Sequence, residues 1–200
     1  ADCFEMDKEN NPALGYRGIR ISLEKDEMFR TQLRAILRAS VYGNVSIMFP
    51  MITSLEEVKA AKVQLERAKK ELSANKTAYN KDIEVGVMIE TPAAVMISGE
   101  LAREVDFFSI GTNDLLQFTL GMDRTNAKID SYYNPHHPAL LKMIRIITNN
   151  GHLEEKRISI CGDLAADLSL TEYFLQIGID ELSVAPGQVL GLRKKIREIQ

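Results

Sequence analysis

The stretch from Asp106 to Arg124, DFFSIGTNDLLQFTLGMDR, carries the residues of this chain that are best suited to chemistry. It opens with a short apolar run that indicates a buried strand, and it breaks at Gly111 before an amide and a carboxylate, Asn113 and Asp114. Glycine lets the backbone approach a ligand, and free N–H groups at a helix start favour an anion. The Asp114 carboxylate suits a divalent cation, and the Arg124 guanidinium suits a phosphate or carboxylate. Taken alone, an ordinary strand followed by an N-capped helix explains the stretch equally well.

Arg17 and Arg20 are a second candidate, because they lie three residues apart in a glycine-containing segment that we expect to be a loop. Such a pair suits an oxyanion, although two solvated surface charges are the commoner case. A helix is predicted to follow, from about Asp26 to Ser40.

Short apolar runs alternate with helical patterns along the chain, and these elements must position the polar residues. Each run is nearly continuous in apolar residues, which indicates burial on both faces and a parallel sheet with helical crossovers. Capping-box patterns at Ser54 and Ser169 mark the starts of two of the helices, and Gly151 is expected to end another. The sequence therefore predicts an α/β fold, either an open doubly wound sheet or most of a (β/α)₈ barrel. Strands are predicted at residues 44–50, 84–90, 106–110, 157–162 and 181–186.

The composition argues against several classes of protein. The 200 residues are 45% hydrophobic and 26% charged, and the net charge of −3 gives no basic footprint for nucleic acid. No apolar run reaches the roughly 18 residues of a membrane span, and Cys3 and Cys161 show neither disulfide nor metal-site spacing. We expect a single cytoplasmic domain over residues 1–200, and the start without methionine suggests a segment of a longer protein.

Polar side chains fall at the same end of successive predicted strands. Glu90 ends the second strand, Asn113 and Asp114 follow the third, and Cys161 ends the fourth. Parallel α/β folds bind ligands at the carboxyl ends of their strands. Two carboxylates from neighbouring strands repel one another unless a cation lies between them, and so few oxygen ligands favour Mg²⁺ or Mn²⁺. Each residue also has an ordinary explanation, such as a helix cap for Asp114 or a small core side chain for Cys161.

Five segments, in this order and spacing, identify a family. GYRGIR, IMFPMI, GVMIETPAA, FFSIGTNDLLQFTLGMDR and ICGDLAAD resemble the phosphoenolpyruvate-binding domain of enzyme I of the bacterial sugar phosphotransferase system. The resemblance implies a partial TIM barrel of the phosphoenolpyruvate/pyruvate-domain type, holding the five C-terminal strand–helix units. It also implies that phosphoenolpyruvate passes its phosphoryl group to a histidine on a separate N-terminal domain, that pyruvate is released, and that a histidine-containing carrier protein is the next acceptor.

The resemblance also assigns roles to individual residues. Asp163 stands where the family usually has glutamate, and His136, His137 and His152 do not match the motif of the phosphorylated histidine. The family's first three strands, with two further substrate arginines, have no counterpart in this sequence. Carried over by motif, Glu90 and Asp114 would bind Mg²⁺, Arg17, Asn113, Asp114 and Arg124 would bind the substrate, and Cys161 would be the general acid.

Proton donation by Cys161 is chemically reasonable, because a thiol with a pKa near ~8.5 is mostly protonated at neutral pH. Three alternatives remain: a domain of the pyruvate phosphate dikinase or phosphoenolpyruvate synthase type, which shares two of the motifs; an Mg²⁺-dependent lyase acting on a pyruvate enolate; and a non-catalytic sensor.

An incomplete barrel is also expected to self-associate, most simply as a homodimer. The first and last strands would each lack a neighbour, and open edges recruit other strands. The family that the sequence resembles is dimeric through this domain. Apolar side chains expected to be left exposed at the two edges are Ile47, Met48, Leu182 and Val184.

Overall fold

The computed structural model describes residues 9–199, except for the side chain of Asp130. The interpretations that concern Cys3 therefore lie outside the described residues. Within the described part, no helix has both the length and the apolar character required to cross a membrane.

One parallel sheet forms the centre of the molecule, and its strands lie side by side in the order in which they occur along the chain. A doubly wound sheet would reverse this order at a switch point, whereas a (β/α)₈ barrel adds each new strand beside the last. The fold is therefore a partial barrel of the α/β class, and the doubly wound alternative is wrong. The strands are β1 (Ile47–Phe49), β2 (Val85–Ile89), β3 (Phe107–Gly111), β4 (Arg157–Cys161) and β5 (Glu181–Leu182).

Helices and short 3₁₀ turns connect the strands. The longest helix begins with the predicted capping box, in which Ser54 Oγ accepts a hydrogen bond from Glu57 N–H and the Glu57 carboxylate accepts one from Ser54 N–H. The α-helices are α1 (Ile19–Glu24), α2 (Asp26–Ala39), α3 (Leu55–Ala74), α4 (Pro92–Met96), α5 (Ser98–Ala102), α6 (Thr112–Leu120), α7 (Pro138–Leu153), α8 (Thr171–Gln176) and α9 (Val189–Ile199). The 3₁₀ helices are Pro12–Leu14, Ala127–Tyr132, Asp163–Ala166 and Pro186–Gln188.

The two faces of the sheet differ in composition. One face is aliphatic or aromatic on every strand and is buried in the core with the helices. The other face, which lines the barrel interior, carries small, sulfur-containing and polar side chains, apart from Phe107 at the start of β3. In β4, for example, Ile158 and Ile160 alternate with Arg157, Ser159 and Cys161. The predicted burial on both faces is confirmed for the middle of β4, where Ile158, Ser159 and Ile160 are all buried.

Several predicted boundaries also need correction. Arg20 lies in α1 rather than in a loop, since that helix begins at Ile19. Helix α7 passes Gly151 and ends at Leu153. Helix α8 has no side-chain cap, because both the N–H and the hydroxyl of Ser169 bond to the Asp167 carboxylate instead. The strands are also shorter than predicted, since β1 and β5 include only three and two residues.

The outer strands β1 and β5 each pair on one side only within the described part of the chain. The prediction of exposed apolar edges is only partly correct. Met48 is 38% exposed, but Ile47 is 3% exposed because this chain's own core covers it. Leu182 and Val184 pack against the core and are half-buried.

Candidate functional site

Glu90 is a buried carboxyl group at the end of β2. Its side chain is 4% exposed, and Met51 N–H donates a hydrogen bond of 2.6 Å to Glu90 Oε1. Met51 follows β1 and has a positive φ of 56°, which is uncommon for a residue with a side chain. The backbone after β1 is therefore turned so that it holds one oxygen of this carboxyl group.

The pKa of Glu90 is raised to about 7, which is far above the ordinary value for glutamate. Burial is the largest cause, and the negative charge of Asp114 adds to it. The Met51 N–H and the Arg17 guanidinium act in the opposite direction and lower the pKa of Glu90. Near neutral pH the carboxyl group is therefore close to the midpoint of its titration.

Asp114 lies in the first turn of α6, directly after β3. Its Oδ2 is 3.5 Å from Nη2 of Arg17, and this ion pair links the segment before α1 to the end of the sheet. Its Oδ1 is buried and has no hydrogen-bond partner among the described residues. Buried polar atoms are nearly always satisfied, so this oxygen is available for a cation or an N–H or O–H donor.

The Glu90 and Asp114 carboxyl groups fit a small divalent cation. Glu90 Oε2 lies close to Gly111, where a Cβ atom would come within 2.9 Å of it, so only glycine leaves the space that the carboxyl group needs. In residues 9–199 no three His, Cys, Asp or Glu side chains form a complete metal site. Two carboxylates with the remaining positions left to water and substrate are what Mg²⁺ accepts, since it keeps several waters.

Cys161 ends β4 and pairs with Gly111 in the register of the sheet. Its thiol donates to Ile110 O at 3.5 Å and accepts from the Ser109 hydroxyl at 3.4 Å. Burial, with added repulsion from the charges of Glu90 and Asp114, raises the pKa of the Cys161 thiol, and the Ser109 hydroxyl partly opposes this. The side chain is therefore a neutral proton donor at physiological pH.

Asn113 joins the loops that follow β3 and β4. Its Oδ1 accepts a hydrogen bond of 3.2 Å from Asp163 N–H, next to Gly162, whose φ of 94° favours glycine. The side-chain oxygen is thus committed to protein, while Asp163 is exposed and meets the site through its backbone.

Arg17 and Arg124 both line a surface cavity of about 500 Å³ that also reaches Asp114. Tyr16 and Gln117 contribute to the same wall. Arg20 does not join them in the described structure, because its guanidinium donates to the carbonyl groups of Leu14 and Gly15 at 3.0 and 2.8 Å. Of the two arginines in the predicted pair, only Arg17 is placed for an anion.

Each of the three histidines has a hydrogen-bond or ion-pair partner within this chain. His136 pairs with Asp167 at 2.5 Å and His152 pairs with Asp180 at 3.0 Å, both near the surface. His137 Nδ1 accepts from Ala139 N–H and caps α7.

Sequence reasoning missed Met51, Ser109 and Gln117, which hold Glu90, Cys161 and Arg124. Met51 acts through its backbone, which a sequence does not reveal. The other two carried a usable signal, since each is a polar residue inside an otherwise apolar stretch of strand or helix.

A family model described as "PEP-utilising enzyme, PEP-binding domain" matches residues 2–200 of this chain. Proteins named phosphoenolpyruvate-protein phosphotransferase from Priestia megaterium, Bacillus subtilis (strain 168) and Buchnera aphidicola subsp. Baizongia pistaciae are 45%, 46% and 48% identical to it over 98% of this chain. The chain spans 34% of the length of each of these relatives.

A crystal structure of a citrate lyase from Burkholderia xenovorans LB400 superimposes with a TM-score of 0.61, covering 83% of this chain and 53% of that chain. The sequence identity is 20%, so this likeness supports the partial barrel and says nothing about chemistry. The family match and the relatives agree with the five sequence segments that suggested a phosphoenolpyruvate-binding domain. The chain belongs to the family of PEP-binding domains of PEP-utilising enzymes.

Proposed function

We propose that this chain is the phosphoenolpyruvate-binding part of a phosphoenolpyruvate–protein phosphotransferase, the first enzyme of the sugar phosphotransferase system. The observation that carries the proposal is the neutral Cys161 thiol beside the Glu90–Asp114 carboxyl pair, which Arg17 joins through an ion pair. This combination supplies a proton donor, hard oxygen ligands and a phosphate-binding cation at one end of a sheet.

The substrate is proposed to lie between the carboxyl pair and the cavity lined by Arg17 and Arg124. Charge on the equatorial oxygens of the transferred phosphoryl group must be neutralised, and the two guanidinium groups are suited to this. Mg²⁺, or Mn²⁺, held by Glu90 and Asp114 would supply further positive charge when bound. The Asn113 amide N–H₂ and the backbone of α6 are available to orient the ligand.

Cys161 is proposed to complete the reaction. Loss of the phosphoryl group to an acceptor histidine leaves the enolate of pyruvate, which needs one proton at carbon 3. The Cys161 thiol donates that proton and becomes a thiolate, and water then restores the thiol. The raised pKa of the Cys161 thiol keeps it protonated until the enolate forms.

The activity and partners of the whole protein extend beyond the 34% of the relatives' length that this chain spans. We propose that the chain works with a phosphohistidine domain and a histidine-containing carrier protein in the cytoplasm, and that it acts as a homodimer. These parts of the proposal rest on the relatives' name and on the enzyme I family that the sequence resembles.

The proposal is tested by the substitution Cys161→Ala in a longer protein. This protein contains the present chain together with the part that its relatives have in addition to it. We expect phosphoenolpyruvate to bind nearly as in the unsubstituted protein, while pyruvate release falls by ~10²–10⁴-fold, because a positioned acid is lost. Cys3→Ala is the matched control and should leave the rate unchanged. A normal rate of pyruvate release in the Cys161→Ala protein would remove the thiol from the mechanism.

A further inference from the structure

Gln117 is a buried polar residue in the middle of α6. Its side chain is 6% exposed and follows two fully buried leucines, Leu115 and Leu116. A buried amide is costly unless its polar atoms are satisfied, so such a position is maintained by specific hydrogen bonds.

Three backbone N–H groups converge on this one residue. Gly121 and Met122 donate to the Gln117 backbone carbonyl and close the C-terminus of α6, where Gly121 has a left-handed φ of 62°. Arg124 N–H donates to Gln117 Oε1 at 3.0 Å. The turn that leads from α6 to Arg124 is therefore organised around Gln117.

The orientation of the Gln117 amide follows from that contact. Because Arg124 N–H is a donor, the side-chain atom facing it must be the oxygen, and the N–H₂ group points the other way. Gln117 lines the cavity that Arg17, Asp114 and Arg124 share, and no residue of the described part bonds to its amide nitrogen. Gln117 also borders a neighbouring cavity lined by Pro12, Leu14 and Phe118. Two N–H donors without a partner among the described residues therefore lie next to these two cavities.

We infer that Gln117 is a positioning residue for the anionic substrate: it fixes the backbone of Arg124 and turns its own amide N–H₂ toward the bound anion. The inference rests on the proposed function, and it adds to that function a residue to which the resemblance assigned no role. It also explains why a glutamine interrupts the apolar sequence of this helix.

The first half of the inference is tested without any ligand, by amide hydrogen exchange of the ¹⁵N-labelled chain. Gln117→Met keeps the length of the side chain and removes the acceptor, so the Arg124 amide should exchange about tenfold faster, as expected for the loss of one hydrogen bond. Gln117→Glu keeps an acceptor and should preserve the protection of Arg124. Thr119→Val is the matched control, because it removes a different side-chain hydrogen bond from the same helix. Unchanged Arg124 exchange in Gln117→Met overturns the positioning role.

The second half is tested by titrating phosphoenolpyruvate, with Mg²⁺, into the same variants of a longer protein that also carries the remaining part of its relatives' length. Gln117→Met should bind about tenfold more weakly than the wild type. Gln117→Glu places a negative charge beside the anion, so its affinity relative to the wild type should be low at pH 8 and should recover as the pH is lowered. Equal affinities of Gln117→Glu and the wild type at pH 8 overturn the donor role. If the unsubstituted longer protein itself fails to bind, the proposed function is at fault, and the exchange experiment still decides whether Gln117 positions Arg124.

Discussion

The protonation of Glu90 and Cys161 depends on burial and on the neighbouring carboxylates. Burial removes water from Glu90 and Cys161, and the Asp114 charge raises the pKa of both. As a result, the Cys161 thiol is protonated at neutral pH and the Glu90 carboxyl group is partly protonated. A bound cation would stabilise the ionised form of the carboxyl group.

Glu90 predicts a pH-dependent stability. Its pKa is about 7 in the folded chain against an ordinary value of 4.5, so the folded state favours the protonated form. The associated stability is present below pH 4.5 and is lost as the pH rises through 7, in total about 3 kcal/mol. Urea unfolding at pH 5 and pH 8 without divalent cations should show this loss. Glu90→Gln should reduce this loss of unfolding free energy. If the unfolding free energy of both proteins changed equally with pH, the prediction would be contradicted.

Cys161 predicts a slow thiol reaction. In a Cys3→Ser chain, iodoacetamide should modify Cys161 at pH 8 more slowly than it modifies cysteine in a short peptide, because the thiolate is disfavoured. Glu90→Gln removes a negative charge and should lower the pKa of the thiol, and half a pKa unit would raise the rate about threefold. Glu172→Gln, on the exposed surface of α8, serves as control. An equal rate of iodoacetamide modification in Glu90→Gln and in the unsubstituted chain would show that the carboxyl group and the thiol are not coupled.

At the scale of elements, the capping box predicted at Ser54 forms and the one predicted at Ser169 does not. The two serines should therefore contribute differently to the free energy of unfolding. Ser54 and Glu57 exchange their hydrogen bonds at the start of α3, so Ser54→Ala should cost about 1 kcal/mol of unfolding free energy. Ser169 bonds to Asp167 and does not cap α8. Ser169→Ala should therefore cost less than half as much in the same thermal or urea unfolding experiment. Equal losses would mean that the capping bond contributes little to the longer helix.

Local patterns predicted the elements well and the boundaries less well. The five strands, the capping box at Ser54 and the meeting of Glu90, Asp114 and Cys161 at one sheet end were all expected from apolar runs and strand-end positions. The cap at Ser169 was not correctly predicted, because its sequence pattern is the same and only the nearby Asp167 decides which partner the hydroxyl takes. The choice between an open sheet and a barrel needed the strand order, which depends on long-range pairing.

At the scale of the whole molecule, the open edges of the sheet predict self-association. Met48 on β1 is 38% exposed, and β1 pairs on one side only in the described structure. Unpaired strand edges recruit strands from other chains. Light scattering should therefore show an average molar mass that rises with protein concentration. Met48→Lys should weaken this effect, whereas Val63→Lys, an exposed helical position on α3, should not. A monomer at every concentration would show that the edges are protected.

The most direct test of the account is a titration of the ¹⁵N-labelled chain with phosphoenolpyruvate, with and without Mg²⁺. We expect saturable shifts of the backbone amides of Asn113, Asp114 and Arg124 that require Mg²⁺ and that disappear in Asp114→Asn. The amide of Glu172, on the surface of α8, should stay unchanged. Shifts confined to other parts of the chain, or binding that depends on neither Mg²⁺ nor Asp114, would contradict the proposed site.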